Sequence, residues 1–223
     1  MNQPETRVHY SCNHGAEKGM TMIVVLMLLM LMSSAAIFSA RYATIGESMA
    51  RNQLDYERAK QAAESALRDA ERDILLPGPP MAMPVGAVCD RGVTRPVDQN
   101  LNSASFTINC SGGQCASNPT LINGSDWSNT ALAEPWWPVA RGGSWSRNVE
   151  PTTNCNFNGA VPLGTYTGVT RLQGVAFQPE YLIELFQRGS SGRMVFFRIT
   201  ARGFGSSRQT QVVLQSYYQI PLQ

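Results

Sequence analysis

The sequence predicts an α+β fold in which one long N-terminal α-helix packs on a C-terminal antiparallel β-sheet. Two observations predict the helix. Residues 20–40 carry no charge, and residues 41–76 continue with helical periodicity until a proline-rich stretch begins at Pro77. A third observation predicts the sheet, because apolar and polar residues alternate along three segments between residues 180 and 220. We therefore expect the two ends of the chain to define the fold.

The uncharged run is long enough to cross a lipid bilayer. At the rise of an α-helix, residues 20–40 would span roughly 30 Å, which matches the hydrocarbon core of a membrane. Small residues at 34–36 offer an alternative, because cleavage there would make the run a secretory signal. The nearly balanced charge of the preceding leader and the lack of a Gly or Pro near that point argue against removal. We expect a transmembrane segment.

The segment after the run favours continuation of the same helix. Apolar or small residues recur at steps of three, four and seven, at positions 42, 45, 49, 56, 59, 63, 66 and 70. Glu64 and Arg68, like Glu47 and Arg51, have the spacing and order of favourable helical ion pairs. Gly46 is the weak point, where a bend is permitted. We predict one helix over 20–76, roughly 85 Å long, whose acidic residues lie on a solvated face.

The composition excludes several classes of function. The net charge of +2 gives no electrostatic reason to expect nucleic acid as a partner. Both histidines, His9 and His14, precede the apolar run, so a processed chain would lack the commonest general base and zinc ligand. No glycine motif or ligand spacing indicates a cofactor or a metal site. We expect a protein that is not an enzyme and holds neither cofactor nor metal.

The cysteines indicate an oxidising compartment. Four of the five follow the apolar run, namely Cys89, Cys110, Cys115 and Cys155. An even number of cysteines beyond a membrane segment, without zinc-site spacing, predicts two disulfides. Cys110 and Cys115 enclose only the residues SGGQ and would close a small loop. The sequence leaves all three pairings of the four cysteines open.

Between the helix and the sheet, residues 81–176 are rich in Gly, Pro, Asn and Ser, which predicts loops and short strands. The alternating residues 106–110, FTINC, predict one such strand. Residues 133–145 contain three of the four tryptophans, and Trp127 lies just upstream. These tryptophans are expected to pack in the core of a loop-rich domain. The alternative is an exposed aromatic patch that contacts a partner or a sugar.

The closing segments predict an antiparallel meander of three strands. They cover residues 180–186, 192–205 and 210–220, and Gly- and Ser-containing turns join them. One face of this sheet is expected to pack on the C-terminal half of the helix. The other face would carry Arg198, Arg202 and Gln215.

Three stretches together resemble type IV pilins, and in particular PilX-like minor pilins. The first is a short leader that ends at Gly19 before an uncharged helix. The second is QAAESALRDAERDI at 61–74, and the third comprises QPEYLIELF at 178–186 with FRITARGFGSSRQTQVVLQSYYQ at 197–219. The resemblance implies a pilin-like fold and cleavage by prepilin peptidase after Gly19. Met20 would then become the methylated N-terminal residue of the mature chain.

Val24 departs from the usual pilin pattern. Most pilins carry Glu at the fifth position of the mature chain, where the resemblance implies pairing with the N-terminal amine of a neighbouring subunit. A charged amine in hydrocarbon is costly unless it is paired, so a chain with Val24 cannot offer that pairing. The resemblance then favours a place near the filament tip. The alternative is that Val24 reflects only the general hydrophobicity of a membrane anchor.

From these observations we expect a leader at 1–19, a helix at 20–76 whose residues 20–40 cross the inner membrane, and a periplasmic globular domain at 81–223. The positive-inside rule does not support this orientation, because only Arg7 and Lys18 precede the run while Arg41 and Arg51 follow it. The orientation rests on the cysteines and the resemblance. The resemblance implies a minor pilin that primes type IV pilus assembly and then resides in the surface fibre. A type II secretion pseudopilin and a signal-anchored periplasmic binding module are the alternatives.

The resemblance also implies a set of partners. These are other minor pilins and the major pilin, prepilin peptidase, the inner-membrane assembly platform and a tip adhesin.

Overall fold

The computed structural model describes residues 20–76, 83–97, 101–116, 135–139, 143, 145–146, 155–186 and 194–221. The chain divides into two units, Met1–Arg51 and Asn52–Gln223. Of the predicted segments, the leader 1–19 therefore lies outside the described residues. So do Trp127 and most of the region between residues 117 and 154.

Helix α1 covers Met20–Leu75. Its residues 20–51, in the first unit, are all exposed to solvent. The helix continues through Gly46, where an added Cβ atom would meet none of the described residues within 4 Å. The single long N-terminal helix predicted from the sequence is thus present.

The second unit contains a sheet of five strands. They are β1 (Gln114–Ala116), β2 (Val161–Pro162), β3 (Glu180–Phe186), β4 (Met194–Phe204) and β5 (Gln211–Pro221). The order is β1-β3-β4-β5, and β2 pairs with β3. Strands β3, β4 and β5 form the predicted antiparallel meander, with Ile183 opposite Ile199 and Ile199 opposite Ser216. Two short 3₁₀ helices, Gly92–Thr94 and Ser103–Ser105, lie in the preceding loops.

The sheet is mixed, whereas the sequence predicted an antiparallel one. Strand β1 pairs in parallel with β3, so that Cys115 lies opposite Glu184. A parallel pairing requires a long connection, which the chain between β1 and β3 supplies. Three residues are too few to show a periodic pattern, and the sequence therefore gave no sign of this strand.

The core lies between the second half of α1 and one face of the sheet. The helix contributes a stripe of small residues: Ala59, Ala62, Ala63, Ala66 and Ala70. The sheet contributes buried side chains from alternate positions: Tyr181, Ile183, Leu185, Val195, Phe197, Ile199 and Ala201. The α+β architecture with a helix packed on the sheet agrees with the sequence prediction.

The predicted strand at 106–110 is absent, because the chain turns there instead. Phe106 is buried and stacks on Phe197, with ring centroids 5.9 Å apart. Thr107 forms a single bridge with Cys115, and the next two residues form a turn. The turn leads into Cys110, whose φ of 54° is left-handed. Because the N–H of Cys110 bonds to the carbonyl of Thr107 at 3.1 Å and forms this turn, alternation over 106–110 does not give a strand.

The second face of the sheet carries Arg198 and Arg202, as predicted, but both are held in ion pairs with the neighbouring strand. Arg198 donates to both carboxylate oxygens of Glu184, at 2.7 and 2.6 Å. Arg202 pairs with Glu180. On β5, Gln215 donates to the hydroxyl of Thr200 at 3.1 Å. Both ion pairs are largely buried.

Candidate functional site: the two halves of the helix

The first part of α1 presents a continuous apolar surface. Every large apolar side chain from Met20 to Phe38 is at least 50% exposed. Among the described residues, α1 is the one helix long and apolar enough to cross a membrane, judged by length and composition. A surface this large and apolar indicates a membrane or a protein partner as its environment.

Several hydroxyl side chains between residues 20 and 51 donate hydrogen bonds to carbonyl groups of the helix itself. Ser33 donates its hydroxyl to the carbonyl of Leu29 at 2.7 Å, and Ser34 donates to that of Leu31 at 2.8 Å. The hydroxyls of Thr44 and Ser48 bond in the same way to carbonyls three residues back. Because these groups need no external partner, the segment can enter an apolar environment at little polar cost.

Of the predicted processing and assembly residues, Met20 and Val24 lie at the start of this helix, and Gly46 and Glu64 lie further along it. Met20 is its first residue, and Gly19 lies outside the described residues. The first helical turn contains no acidic residue, and the Val24 side chain that follows is exposed. Cleavage after Gly19 and the role of Val24 therefore stay predictions.

The second part of α1 meets the sheet first at Asp55. Its Oδ1 accepts hydrogen bonds from the backbone N–H and the hydroxyl of Ser206, both at 2.5 Å. Its Oδ2 accepts a longer bond of 3.4 Å from the N–H of Ser207. Hydrogen bonds from the side chains of Ser206 and Thr210 lower the pKa of Asp55 to about 2. The carboxylate thus connects the helix to the turn between β4 and β5.

One turn further along, the helix and strand β4 come unusually close. A Cβ atom added to Gly203 would lie 2.1 Å from the carbonyl oxygen of Ala59 and 2.2 Å from the backbone nitrogen of Ala63. Only glycine on the strand, facing alanine on the helix, permits this approach. Small residues in both elements therefore set the distance between helix and sheet.

A buried polar network around Asp73 joins α1 to strand β3 and to three loop positions of the second unit, Arg91, Gly112 and Tyr166. Arg91 donates to both oxygens of this carboxylate, through Nε at 2.9 Å and through Nη2. Tyr181 of β3 donates its hydroxyl to Oδ2 at 2.9 Å. Arg91 also donates Nη1 to the carbonyl of Gly112 at 2.7 Å and lies 3.7 Å above the ring of Tyr166. Each charged group in this network therefore has a partner of opposite charge or a hydrogen bond.

Burial and charge act together on the pKa values of the network. Burial disfavours the charged guanidinium of Arg91, but the adjacent Asp73 carboxylate outweighs it and raises the pKa of Arg91. Burial, with the nearby Asp73 charge, raises the pKa of the Tyr181 hydroxyl well above its usual value. The network consequently keeps a charged arginine and neutral tyrosines over the physiological pH range.

Asp69, one helical turn before Asp73, forms a separate contact. Its Oδ2 accepts the backbone N–H of Gly164 at 2.7 Å, and its Oδ1 accepts the hydroxyl of Thr167. No basic side chain is among these hydrogen-bond donors. Burial therefore raises the pKa of Asp69 despite the two hydrogen bonds.

The expectation that acidic helix residues lie on a solvated face is wrong for Asp69 and Asp73, which are both buried. The sequence contained a signal for this, because Asp73 follows Ala66 by seven residues and so continues the small-residue stripe. Glu64 is partly exposed. Among the described residues, the predicted pair of Glu64 with Arg68 does not form, whereas that of Glu47 with Arg51 does.

Two disulfides flank the Asp73 network. Cys89 bonds to Cys155, and Cys110 bonds to Cys115. The structure thus selects one of the three pairings that the sequence left open. The first bond lies two residues before Arg91, and the second closes the loop that presents the Gly112 carbonyl to it. The first crosslink therefore restrains the segment that supplies Arg91 to the helix, and the second restrains the loop whose Gly112 carbonyl binds Arg91.

On the second face of the sheet, the Trp145 side chain is buried and contacts Glu180 and Arg202. Its Nε1 donates to Oε1 of Glu180 at 2.9 Å, and the Arg202 guanidinium lies 4.8 Å from its ring centroid. Trp136 packs against the buried cluster that contains Trp145 and Leu182, and it stacks on Trp137. For Trp145, packing in the core is thus the interpretation that fits. Within the part of the chain that the structure describes, no three metal-ligating side chains converge.

The fold and this helix define a class of protein. A long helix that is apolar and exposed in its first part, and packed on a sheet in its second part, is the architecture of a pilin-type subunit. A family model described as type IV pilus assembly protein PilX C-term matches residues 94–220, and one described as PilX N-terminal matches residues 18–68. The chain belongs to the PilX family of type IV pilus assembly proteins.

Membership in this family assigns the chain to type IV pilus assembly, among structural components of the pilus that associate with one another. No curated protein and no solved structure matches the chain. The family assignment therefore rests on the two family models, which agree with the helix and sheet described above.

Proposed function

We propose that this protein is a minor pilin that primes the type IV pilus together with other minor pilins and remains near its tip. The observation that carries the proposal is the exposed apolar surface of α1 from Met20 to Phe38, joined in one helix to a half that is packed on its own sheet. Lipid contacts of that surface would be replaced by contacts with the helices of neighbouring subunits during assembly. This role is structural and requires neither catalysis nor a cofactor.

In this proposal, prepilin peptidase cleaves after Gly19 and methylates Met20 while residues 20–40 lie in the inner membrane. The globular domain is then periplasmic. The disulfides Cys89–Cys155 and Cys110–Cys115 support this orientation, because the periplasm is oxidising and the cytoplasm is not. The major pilin, the inner-membrane assembly platform and a tip adhesin would be further partners.

Mass spectrometry of the N-terminal peptide tests the processing step. We expect a peptide that begins at N-methylated Met20. A chain that retains residues 1–19, or one that begins after Ala36, would exclude a processed pilin and favour a signal-anchored or secreted protein. Recovery of the protein in sheared surface fibres is expected for a pilus component, whereas recovery only in the cell envelope would favour a secretion pseudopilin.

The proposed tip position follows from Val24. Without a carboxylate at the fifth mature position, the subunit cannot pair with the N-terminal amine of the next subunit in an apolar environment. Restoring a carboxylate by Val24→Glu should therefore spread the protein along the fibre, as seen by immunogold labelling. Val25→Glu is the matched control, because it adds the same charge one residue away. If both variants or neither changed the labelling, the role of position 24 would be refuted.

A further inference from the structure

Asp55 forms a contact with the sheet that is separate from the buried core. The carboxylate is surrounded by the turn between β4 and β5, where Ser206 supplies a backbone N–H and a hydroxyl and Ser207 supplies a second N–H. We name this group of Asp55, Ser206 and Ser207 the Asp55 clasp. Together with the Thr210 side chain, these three donors favour the charged form of the carboxylate over a neutral group.

The backbone of the turn is shaped to admit this carboxylate. A Cβ atom added to Gly205 would lie 2.5 Å from Oδ1 of Asp55 and 2.8 Å from its backbone carbonyl oxygen. The N–H of Gly205 is used within the turn, where it bonds to the carbonyl of Thr210 at 2.9 Å. The turn is therefore closed on itself while it faces the helix, and only a residue without a side chain fits at position 205.

The Asp55 clasp lies at the start of the packed part of α1. Ala59 is the first fully buried residue of the helix. Within residues 52–58, the side-chain hydrogen bonds that the structure describes all belong to Asp55, and Leu54 and Tyr56 are at least half exposed. Beyond Ala59, by contrast, the Ala stripe, Asp69 and Asp73 anchor each successive turn.

From this arrangement we propose that the Asp55 clasp is a conformational latch. While it is closed, residues 52–58 are held on the sheet. When it opens, these residues leave the sheet and fray, while Ala59–Leu75 stays packed. Stability within a protein is distributed unevenly, and segments with few buried contacts open first. The latch would determine at which residue α1 detaches from the sheet. This proposal does not depend on priming or on a tip position.

Hydrogen–deuterium exchange of the full mature chain in detergent tests the latch. Asp55→Ala should speed exchange of the amides in 52–58 and 204–210 by about tenfold, which is the scale of one charge-assisted hydrogen bond. The amides of 66–75 should keep the wild-type rate. Glu57→Gln is the matched control, because it removes a carboxylate two residues away that has no part in the clasp.

Two further variants distinguish opening of the Asp55 clasp from a general loss of stability. Ser206→Ala leaves Asp55 in place and removes one donor, so it should give a smaller increase in the same two segments. Gly205→Ala should open the clasp from the side of the turn and reproduce the Asp55→Ala pattern. The proposal is overturned if the amides of 52–58 and 204–210 exchange at the same rate in Asp55→Ala as in Glu57→Gln. It is also overturned if Asp55→Ala speeds the exchange of the 66–75 amides as much as that of the 52–58 amides.

Discussion

The two halves of α1 differ in the size of their apolar side chains. From Met20 to Phe38 the helix carries Met, Leu, Ile, Val and Phe, and these are exposed. From Ala59 to Ala70 the buried residues are alanines and Asp69, and the buried residues Asp73 and Ile74 follow them. An unbroken series of large apolar residues therefore marks the exposed half, whereas small residues predominate in the half that packs against its own sheet.

This difference shows how each half obtains its stability. Burying a large aliphatic side chain contributes about 1.5–3 kcal/mol, and an alanine contributes considerably less. The packed half therefore gains less from hydrophobic burial per residue, and it depends on close approach at Gly203 and on polar anchors at Asp69 and Asp73. The anchors also favour one register, because a helix shifted by one turn would leave at least one of the two aspartates without its partners.

The largest effect is expected from breaking the Asp73 network. Arg91→Ala leaves Asp73 as an unpaired buried charge, so we expect the free energy of unfolding to fall by about 3–5 kcal/mol. Denaturant unfolding of the full chain in detergent, followed by tryptophan fluorescence, measures this. Arg51→Ala is the control, because its exposed pair with Glu47 should contribute less than about 1 kcal/mol. Equal effects of the two substitutions would show that the network does not stabilise the packed half.

The second effect concerns the close contact between the helix and β4. Gly203→Ala places a methyl group against the backbone at Ala59 and Ala63, and overpacking of this kind costs about 1–3 kcal/mol. The same unfolding measurement detects the loss. If the variant were as stable as the wild type, the close approach of helix and strand at Gly203 would not contribute to the free energy of unfolding. The comparison of the two halves would then lose this structural basis.

Much of this contrast was visible in the sequence. The uncharged run predicted the first half of the helix, and the periodic alanines at 59, 63, 66 and 70 predicted the face that packs. Strands β3, β4 and β5 were predicted because alternation over at least seven residues is a strong signal. Local pattern therefore sufficed for the long elements.

The polar anchors could not be predicted in the same way, because their partners are distant in sequence. Asp73 contacts Arg91 and Tyr181, and Asp69 contacts Gly164 and Thr167. An aspartate on a helix is usually solvated, and only its position on the alanine stripe distinguishes these two. Strand β1 and the disulfide pairing were beyond prediction for a related reason, since each depends on how separate loops come together.

The third prediction concerns acid and the first contact of the packed half. Asp55 has a folded-state pKa of about 2, below the value of about 3.9 for an unfolded chain. Its contribution to stability is therefore present above about pH 4 and is lost as the pH falls towards 2. Wild type should lose more stability than Asp55→Asn between pH 5 and pH 2.5.

Two features make this acid experiment specific to Asp55. The raised pKa of Asp69 acts in the opposite direction, but it is present in both proteins and cancels in their difference. Glu57→Gln controls for the removal of one carboxylate from the same part of the helix. If wild type and Asp55→Asn were to lose stability in parallel over this pH range, the carboxylate would not hold the turn.

The smallest effect, and one of opposite sign, is expected in the first half of the helix at Gly46. None of the described residues lies within 4 Å of the place where a Cβ atom would stand, and the backbone there is helical. Gly46→Ala should therefore stabilise the local helix by about 0.5–1 kcal/mol, because alanine loses less conformational entropy than glycine. Exchange of the amides around residues 41–51 in detergent should slow by a few-fold, with Ser48→Ala as the control. Faster exchange would indicate that the added methyl group contacts a close neighbour of Gly46. Among the described residues Gly46 has no such neighbour, whereas Gly203 has, and this distinguishes the two halves of the helix.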